Sequence, residues 1–471
     1  MNDESDFTAS ADNVLNDQRM VAISTEERQI EKASLEDKSL TSCLMEKICD
    51  RNNLNLAYKR VKANKGTSGV DGMSVGEMSE FIAKHKEQLI ESLLTGSYRP
   101  QTVREVEIPK PEGGVRKLGI PTVIDRLVQQ AILQILQPIF EPRFSDASYG
   151  FRPNRSAHQA VKQASQYVQE GYGIVVDIDL EKFFDRVNHD ILMSRLAKVI
   201  ADKRLLKIIR AFLNAGVMQQ GVVIERVEGT PQGSPLSPLL SNILLDELDK
   251  ELEKRGHRFC RYADDCNIYV KSINAGTRVM ESIKEYLGKR LRLKVNEGKS
   301  SVSEVSERQF LGFRINREGK IGISKKSEKR VKTKIRAITK RNRGVSFKQV
   351  ILELNKKLTG WINYFKLTES PSQLRGLDSW IRRKLRCYRL KQRKRGYSII
   401  KFLMDLGVSS RNARKIGSSG KGWWRLSHTP PVNQAMSNAW FKDVGLINLE
   451  HKVASYHLTQ TAVCNKARTV V

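Results

Sequence analysis

Ile174-Val175-Val176-Asp177-Ile178-Asp179-Leu180-Glu181-Lys182-Phe183-Phe184-Asp185 is the stretch whose reading decides the fold. Its β-branched opening predicts a buried strand, and the two-residue period of a strand puts Asp177 and Asp179 on one face near its end. Carboxylates are costly to bury unless a cation meets them, although a solvated strand end also accommodates aspartates. A second stretch, Arg258-Phe259-Cys260-Arg261-Tyr262-Ala263-Asp264-Asp265-Cys266-Asn267-Ile268-Tyr269-Val270, sets two apolar-containing runs around Ala-Asp-Asp. It predicts a β-hairpin with adjacent carboxylates at its tip. Adjacent aspartates repel each other, and a divalent cation removes that penalty. Mg²⁺ takes one or two carboxylates together with substrate phosphates, and a pair of such ions suits in-line displacement at phosphorus.

Around these stretches the texture is α/β from about 41 to 310, with helical runs such as RLVQQAILQILQPIF and short β-like runs such as RQFLGFRI separated by Gly- and Pro-rich loops. The 471 residues carry 82 Lys plus Arg against 52 Asp plus Glu, a formal net charge of +30. For a chain without an amphipathic anchor, that excess points to nucleic acid before membrane. No stretch approaches the roughly 18 apolar residues needed to cross a bilayer, and the acidic start lacks an apolar signal core, so no membrane partner is expected. The six cysteines form no Cys-x-x-Cys pair, which fits a reducing cytoplasm.

The charge is unevenly laid out. Residues 1–50 hold 12 acidic and 5 basic side chains, whereas residues 320–425 hold 31 basic and 5 acidic ones. A solvated face is the ordinary fate of such a basic run. Here Phe347, Val350, Ile351, Leu354, Leu358, Trp361, Ile362 and Phe365 recur at helical spacing, flanked by the stripes Val331-Ile335-Ile338 and Leu377-Trp380-Ile381-Leu385-Tyr388. Three helices with a shared core and basic exteriors make a folded phosphate-binding surface.

In order along the chain, Asp179-x-x-x-x-Phe184, Gly229-Thr230-Pro231-Gln232-Gly233-Ser234-Pro235-Leu236-Ser237-Pro238 and Tyr262-Ala263-Asp264-Asp265 resemble palm motifs A, B and C of reverse transcriptases. The motif B string, Tyr149-Gly150-Phe151-Arg152-Pro153 and Leu358-x-Gly360-Trp361-x-x-Tyr364-Phe365 narrow the resemblance to the reverse transcriptase–maturases encoded by bacterial group II introns, over roughly residues 45–450. The resemblance implies a right-hand polymerase fold. An acidic, unstructured tail over 1–44 precedes α/β fingers and palm over 45–313, then an α-helical thumb or maturase X domain over 314–396. A basic segment over 397–471 suited to DNA follows.

The resemblance also implies roles. Asp179, Asp264 and Asp265 are the expected ligands of two Mg²⁺ ions, the spacing to the aromatic selecting Asp179 over Asp177. Phe184 takes the place of a gate beneath the incoming sugar, with Phe183 packing the core, and Gln232 and Gly233 lie along the nascent base pair. Lys110 and Arg116 match a fingers hairpin that holds the triphosphate, although taken alone it is an ordinary basic turn. Lys299, in Leu293-Lys294-Val295-Asn296-Glu297-Gly298-Lys299-Ser300, fits the lysine that protonates the leaving pyrophosphate. Phe310-Leu311-Gly312-Phe313 is similar to a primer grip and equally to a strand turn in the core, and His189 reads as a local hydrogen-bonding residue.

The expected activity is RNA-directed DNA synthesis from dNTPs on a DNA primer, joined to binding of group II intron RNA for splicing and mobility in a bacterial cytoplasm. Two alternatives stay open: a splicing maturase with little polymerase role, and a reverse transcriptase recruited to defence or another host task. The tail from Trp423 to Val471 has only Cys464, His428, His451 and His457 where longer family members carry the ligands of an HNH nuclease, so no such nuclease is expected. Oligomeric state, intron class and target site are not readable from the sequence. Shrinking Phe184 to Val is expected to admit ribonucleotides in a primer-extension assay; unchanged sugar discrimination removes the gate.

Overall fold

The computed structural model describes residues 41–109, 113–219, 222–224, 228–230 and 233–468. Residues 1–40 of the acidic tail, Lys110 and Gln232 lie outside the described residues. Helices α1 (Leu44–Cys49), α2 (Arg51–Asn64) and α3 (Met78–Leu94) precede a hairpin of β1 (Val103–Pro109) and β2 (Val115–Ile120). Next come α4 (Val123–Phe140), α5 (Ala157–Gln169), β3 (Ile174–Ile178), α6 (His189–Ala197), α7 (Lys203–Asn214), β4 (Val217–Gln219) and β5 (Val222–Ile224). Helix α8 (Ser237–Lys254), β6 (Arg258–Tyr262), β7 (Asp265–Val270), α9 (Ile273–Tyr286) and β8 (Ser301–Glu304) follow, then β9 (Phe313–Ile315) and β10 (Ile321–Ile323). From there the chain is helical: α10 (Lys325–Ile338), α11 (Phe347–Tyr364), α12 (Pro371–Arg393), α13 (Gly396–Asp405), α14 (Ser410–Gly417), α15 (Trp423–Leu426), α16 (Pro430–Ala435), α17 (Asn438–Asp443) and α18 (Leu449–Arg468). The strands form sheets in the orders β2-β1-β4-β5, β6-β7-β3-β8 and β10-β9.

Two compact units divide the chain. The first takes the described residues up to Ser156 with Val176–Ile268 and Thr277–Ser301. In it α4 buries Val123, Leu127, Val128, Ala131, Ile132, Leu136 and Phe140, and its start is capped by the Thr122 hydroxyl, which accepts from Asp125 N. Asp202 caps α7 in the same way and also accepts from Met45 N of α1 at 3.1 Å, so one carboxylate ties two helices together. The β1–β2 hairpin is antiparallel, with Ile108 opposite Arg116.

The second unit takes Ala157–Val175, Tyr269–Gly276 and the described residues from Val302 onward. Its three long helices bury most of the stripes that the sequence spacing predicts: Val331 and Ile335 on α10, Phe347, Val350, Ile351, Leu354, Leu358 and Ile362 on α11, and Leu377, Ile381, Leu385 and Tyr388 on α12, while Ile338, Trp361 and Trp380 are only half-buried. The rings of Phe313, Tyr364 and Phe365 cluster at centroid distances of 4.9–5.5 Å, and the Tyr364 hydroxyl donates to Leu311 O at 2.9 Å. That bond holds Leu311 and Gly312 in left-handed backbone, at φ 51° and 82°. No helix among the described residues is long and apolar enough to cross a membrane.

Helices α13 and α14 meet at glycines. A Cβ on Gly396 would stand 2.5 Å from Gly417 O, a backbone atom that cannot turn aside. Gly396→Ala is therefore expected to cost about 1–3 kcal/mol by overpacking. Gly360→Ala, in the middle of α11 with open space at its Cβ, is expected to be neutral or stabilising by up to about 1 kcal/mol. Melting curves of the full-length variants check both.

Candidate active site

Strand β3 ends at Ile178, and the next residue begins the site. Asp179 N–H donates to Ser300 Oγ at 2.9 Å, and its carbonyl accepts from Asn296 N at 2.8 Å. Glu181 N–H donates to Lys294 O at 2.8 Å, so the segment 294–300 runs alongside the end of β3. This brings Lys299 Nζ within 3.3 Å of both Asp179 carboxylate oxygens, across 120 residues of chain.

The second carboxylate pair comes from the β6–β7 hairpin. Ala263 turns the chain at φ 58°, Asp264 follows in the turn, and Asp265 opens β7. A non-glycine residue in left-handed backbone carries strain that its surroundings must over-determine, and here they do. Gly150 lies so close beneath that a Cβ there would stand 2.2 Å from Ala263 N, so only glycine fits. Below the turn, Arg261 is fully buried. Its Nε and Nη2 donate to the two Asp249 carboxylate oxygens at 2.7 and 2.6 Å. The remaining donors reach Ser148 Oγ at 2.8 Å, Asn242 Oδ1 at 3.1 Å and Ala263 O at 2.9 Å. All five guanidinium N–H groups are thereby used. Asn242 also donates to Gly150 O at 2.9 Å, closing a network that joins α8, the 148–150 loop and the turn.

The electrostatics are those of crowded anions. Burial and the charge of Asp179 raise the Asp264 carboxyl above the usual range, opposed by Arg116 and Lys299. At Asp265 the surrounding protein, then Asp264, Asp179 and Asp177, push the carboxyl up to about 7, although part of the residue's surface stays open to solvent. The neighbouring charges are the firmer of these causes, because an open carboxylate loses little hydration. Arg116, exposed on β2, thus contributes to the field at Asp264 from the hairpin.

The motif B loop passes against the turn that follows β3. Gly229 N–H donates to Val187 O at 2.8 Å and Thr230 N–H to Phe184 O at 2.6 Å, while a Cβ on Gly229 would stand 2.8 Å from Asp185 O. Gly233, at φ 111°, lies with its Cβ position 3.2 Å from Gly119 O of β2. Phe183 is buried and meets Phe184 edge-on at 5.3 Å, leaving Phe184 half-buried. His189 is buried with Nε2 2.7 Å from Gly229 O and Nδ1 3.1 Å from Asn214 Oδ1, both nitrogens engaged.

Sequence reasoning passed over Arg261, Asp249, Asn242, Ser300 and the reason for Gly150. A cation directly after the apolar Phe259 and Cys260 and before Tyr262 was a signal for the first; its side-chain partners lie 12, 19 and 113 residues away and leave no local pattern.

Carboxylate oxygens suit a hard divalent cation, and those of Asp264 and Asp265, raised by burial and then by neighbouring carboxylates, would gain from one. Among the described residues no group of three or more His, Cys, Asp or Glu is gathered closely enough to hold a metal ion, and Lys299 supplies the positive charge beside Asp179.

Residues 108–315 match the family described as reverse transcriptase (RNA-dependent DNA polymerase), and residues 328–404 match the group II intron maturase-specific domain. Protein YkfC of Escherichia coli (strain K12) is 33% identical over 291 residues, covering 54% of this chain and 76% of that protein. Group II intron-encoded protein LtrA of Lactococcus lactis subsp. cremoris is 31% identical over 343 residues, covering 58% of this chain and 57% of LtrA. The chain thus matches little more than half the length of LtrA. A solved structure titled "Partial Cas6-RT-Cas1--Cas2 complex" is 27% identical over 52% of this chain and 42% of that one, at a TM-score of 0.35.

Truncating Arg261 to Met leaves Asp249 charged, buried and unpaired, and is expected to cost about 3–5 kcal/mol. Adding Asp249→Leu to Arg261→Met is expected to recover a large part of that loss. Denaturant melts of the two single variants and the double variant measure the coupling; additive losses would show that the pair does not act as a unit.

Proposed function

The chain belongs to the family of group II intron-encoded reverse transcriptase–maturases, and from that premise we propose that it copies RNA into DNA and uses its basic helical unit to bind the intron RNA whose splicing it assists. One observation supports the polymerase part above all. Asp179, Asp264, Asp265 and Lys299, drawn from three separate segments, share one electrostatic site beside the motif B loop.

The family uses divalent metal ions, and for this chain we propose two Mg²⁺ that Asp179, Asp264 and Asp265 would hold once substrate phosphates complete the ligand set; such ions would stabilise charge on the attacking and leaving oxygens of the displacement. The protein's own groups do the rest. Arg116 presents a planar fork to the triphosphate, with Lys110 assigned the same task as a point charge. Gly233 leaves the backbone open to the nascent base pair, where Gln232 is assigned a hydrogen bond. The half-buried ring of Phe184 excludes a 2′-hydroxyl, and so selects dNTPs. Lys299 holds a proton within reach of the site and delivers it to the departing pyrophosphate. Positioning the primer 3′-oxygen against the α-phosphate supplies much of the rate.

A maturase that splices with an idle polymerase is the second reading, favoured by the basic helices of the second unit. The intact carboxylate set with its lysine weighs against it. Asp264→Ala is expected to lower dNTP incorporation on an RNA template at least 10³-fold, by analogy with losing one group that stabilises developing charge. RNA affinity should stay within about twofold of wild type. Undiminished incorporation overturns the site, and splicing by this variant would separate the two activities.

A further inference from the structure

Three arginines are buried among the described residues: Arg152, Arg261 and Arg386. The first two are paired with carboxylates, Glu141 at 2.9 Å and Asp249 at 2.6 Å. Arg386, on α12 and only 8% exposed, is not. Its Nε and Nη2 both donate to Met436 O, at 2.9 and 2.8 Å, and its guanidinium carbon lies 5.4 Å from the centre of the Phe441 ring, so one carbonyl and one aromatic face, and no anion, meet a buried full charge. Burial and the neighbouring Arg382 push its pKa down to about 10, and no carboxylate counters them.

Arg386 borders a cavity of about 390 Å³, in the size range of small-ligand sites. Arg382 and Arg383 share its wall, and none of its lining residues is acidic. Asp378 feels the charge of Arg382, but both its carboxylate oxygens are taken by the N–H groups of Leu449 and Glu450. The opposite wall is His428, Asn433 and Asn438, from the stretch that contains α15 to α17, beyond residue 404 where the maturase-specific match ends. That wall also fixes the cations. Arg383 lies 4.0 Å over the Trp424 ring and donates to Trp424 O at 3.3 Å, while its buried Nε has no partner. Repulsion among three guanidinium groups opposes folding, and what removes it is an anion with several acceptor oxygens.

We infer that this cavity is a binding pocket for one phosphate group of an RNA strand, with Arg382, Arg383 and Arg386 as its forks. The segment 423–441 closes it. This rests on the reading of the protein as an RNA binder. Two sources of the group share the chemistry: an internal phosphodiester and a 5′-terminal phosphomonoester.

The test is equilibrium binding of the full chain to a 20-nucleotide oligo(U), as 5′-hydroxyl and as 5′-monophosphate, over a KCl series. Wild-type binding to neither RNA overturns the RNA-binding reading itself. Arg382→Gln is expected to weaken binding about tenfold and to flatten the slope of log affinity against log salt by about 0.7, the value of one single-strand phosphate contact. Arg382→Lys, which keeps the charge and loses the fork, should bind within twofold of Arg382→Gln. Arg386→Lys should behave likewise, and if it fails to fold, the half-buried Arg382 pair decides. Loss confined to the 5′-monophosphate RNA assigns the pocket to the chain end, and equal loss on both assigns it to the backbone. Arg382→Lys binding as wild type does, with an unchanged slope, overturns the pocket and leaves only a diffuse basic surface.

Discussion

The Arg261–Asp249 pair beneath the Ala263 turn is the contact on which the site depends. A charge pair with both members fully buried contributes little net stability, because desolvation takes back most of the attraction. Its value here is geometric. A guanidinium with every donor spoken for cannot rotate, and one of those donors grips the carbonyl of Ala263, the residue in left-handed backbone. Asp264 and Asp265 follow directly, so the direction of the carboxylates is set from underneath. Gly150 serves the same end by letting one stretch of backbone lie against another.

Above that anchor the chain accumulates like charge. Burial pushes Asp264 and Asp265 toward protonation, Asp179 adds to the push at both, and Asp264 adds to it at Asp265. Lys299 and Arg116 offset the repulsion without cancelling it. A site built this way is held ready for added positive charge. The second unit carries the reverse imbalance: Lys and Arg cover helices whose buried faces are apolar, and Arg386 is buried without an anion. The two imbalances fit the two halves of the proposed activity, metal-assisted chemistry on a phosphate and retention of a polyphosphate strand.

Legibility differed by the kind of feature. The strand that ends just before Asp179, the hairpin carrying Asp264 and Asp265, and the three amphipathic helices follow from periods of two and 3.6 residues, which are local properties. The packing of Phe183 was also foreseeable, since one ring of an adjacent aromatic pair commonly packs the core, whereas His189 bonds Asn214 and Gly229, 25 and 40 residues away, rather than its sequence neighbours. The support of the turn was not foreseeable. Arg261, Asn242, Ser148 and Asp249 come from positions up to 113 residues apart, and nothing in their immediate neighbours marks them as one network. The contacts that the stretch from Trp423 to Phe441 makes with α12 were not foreseeable either, since they run through the backbone carbonyls of Trp424 and Met436.

By itself the sequence determined the class of the protein, its order of motifs and the residue types of its chemistry, because motif spacing and apolar periodicity are written along the chain. Only the tertiary structure decided which cations meet which anions. Ion pairing depends on distance through space, and folding alone set Lys299 on Asp179, Asp249 on Arg261 and no carboxylate on Arg386.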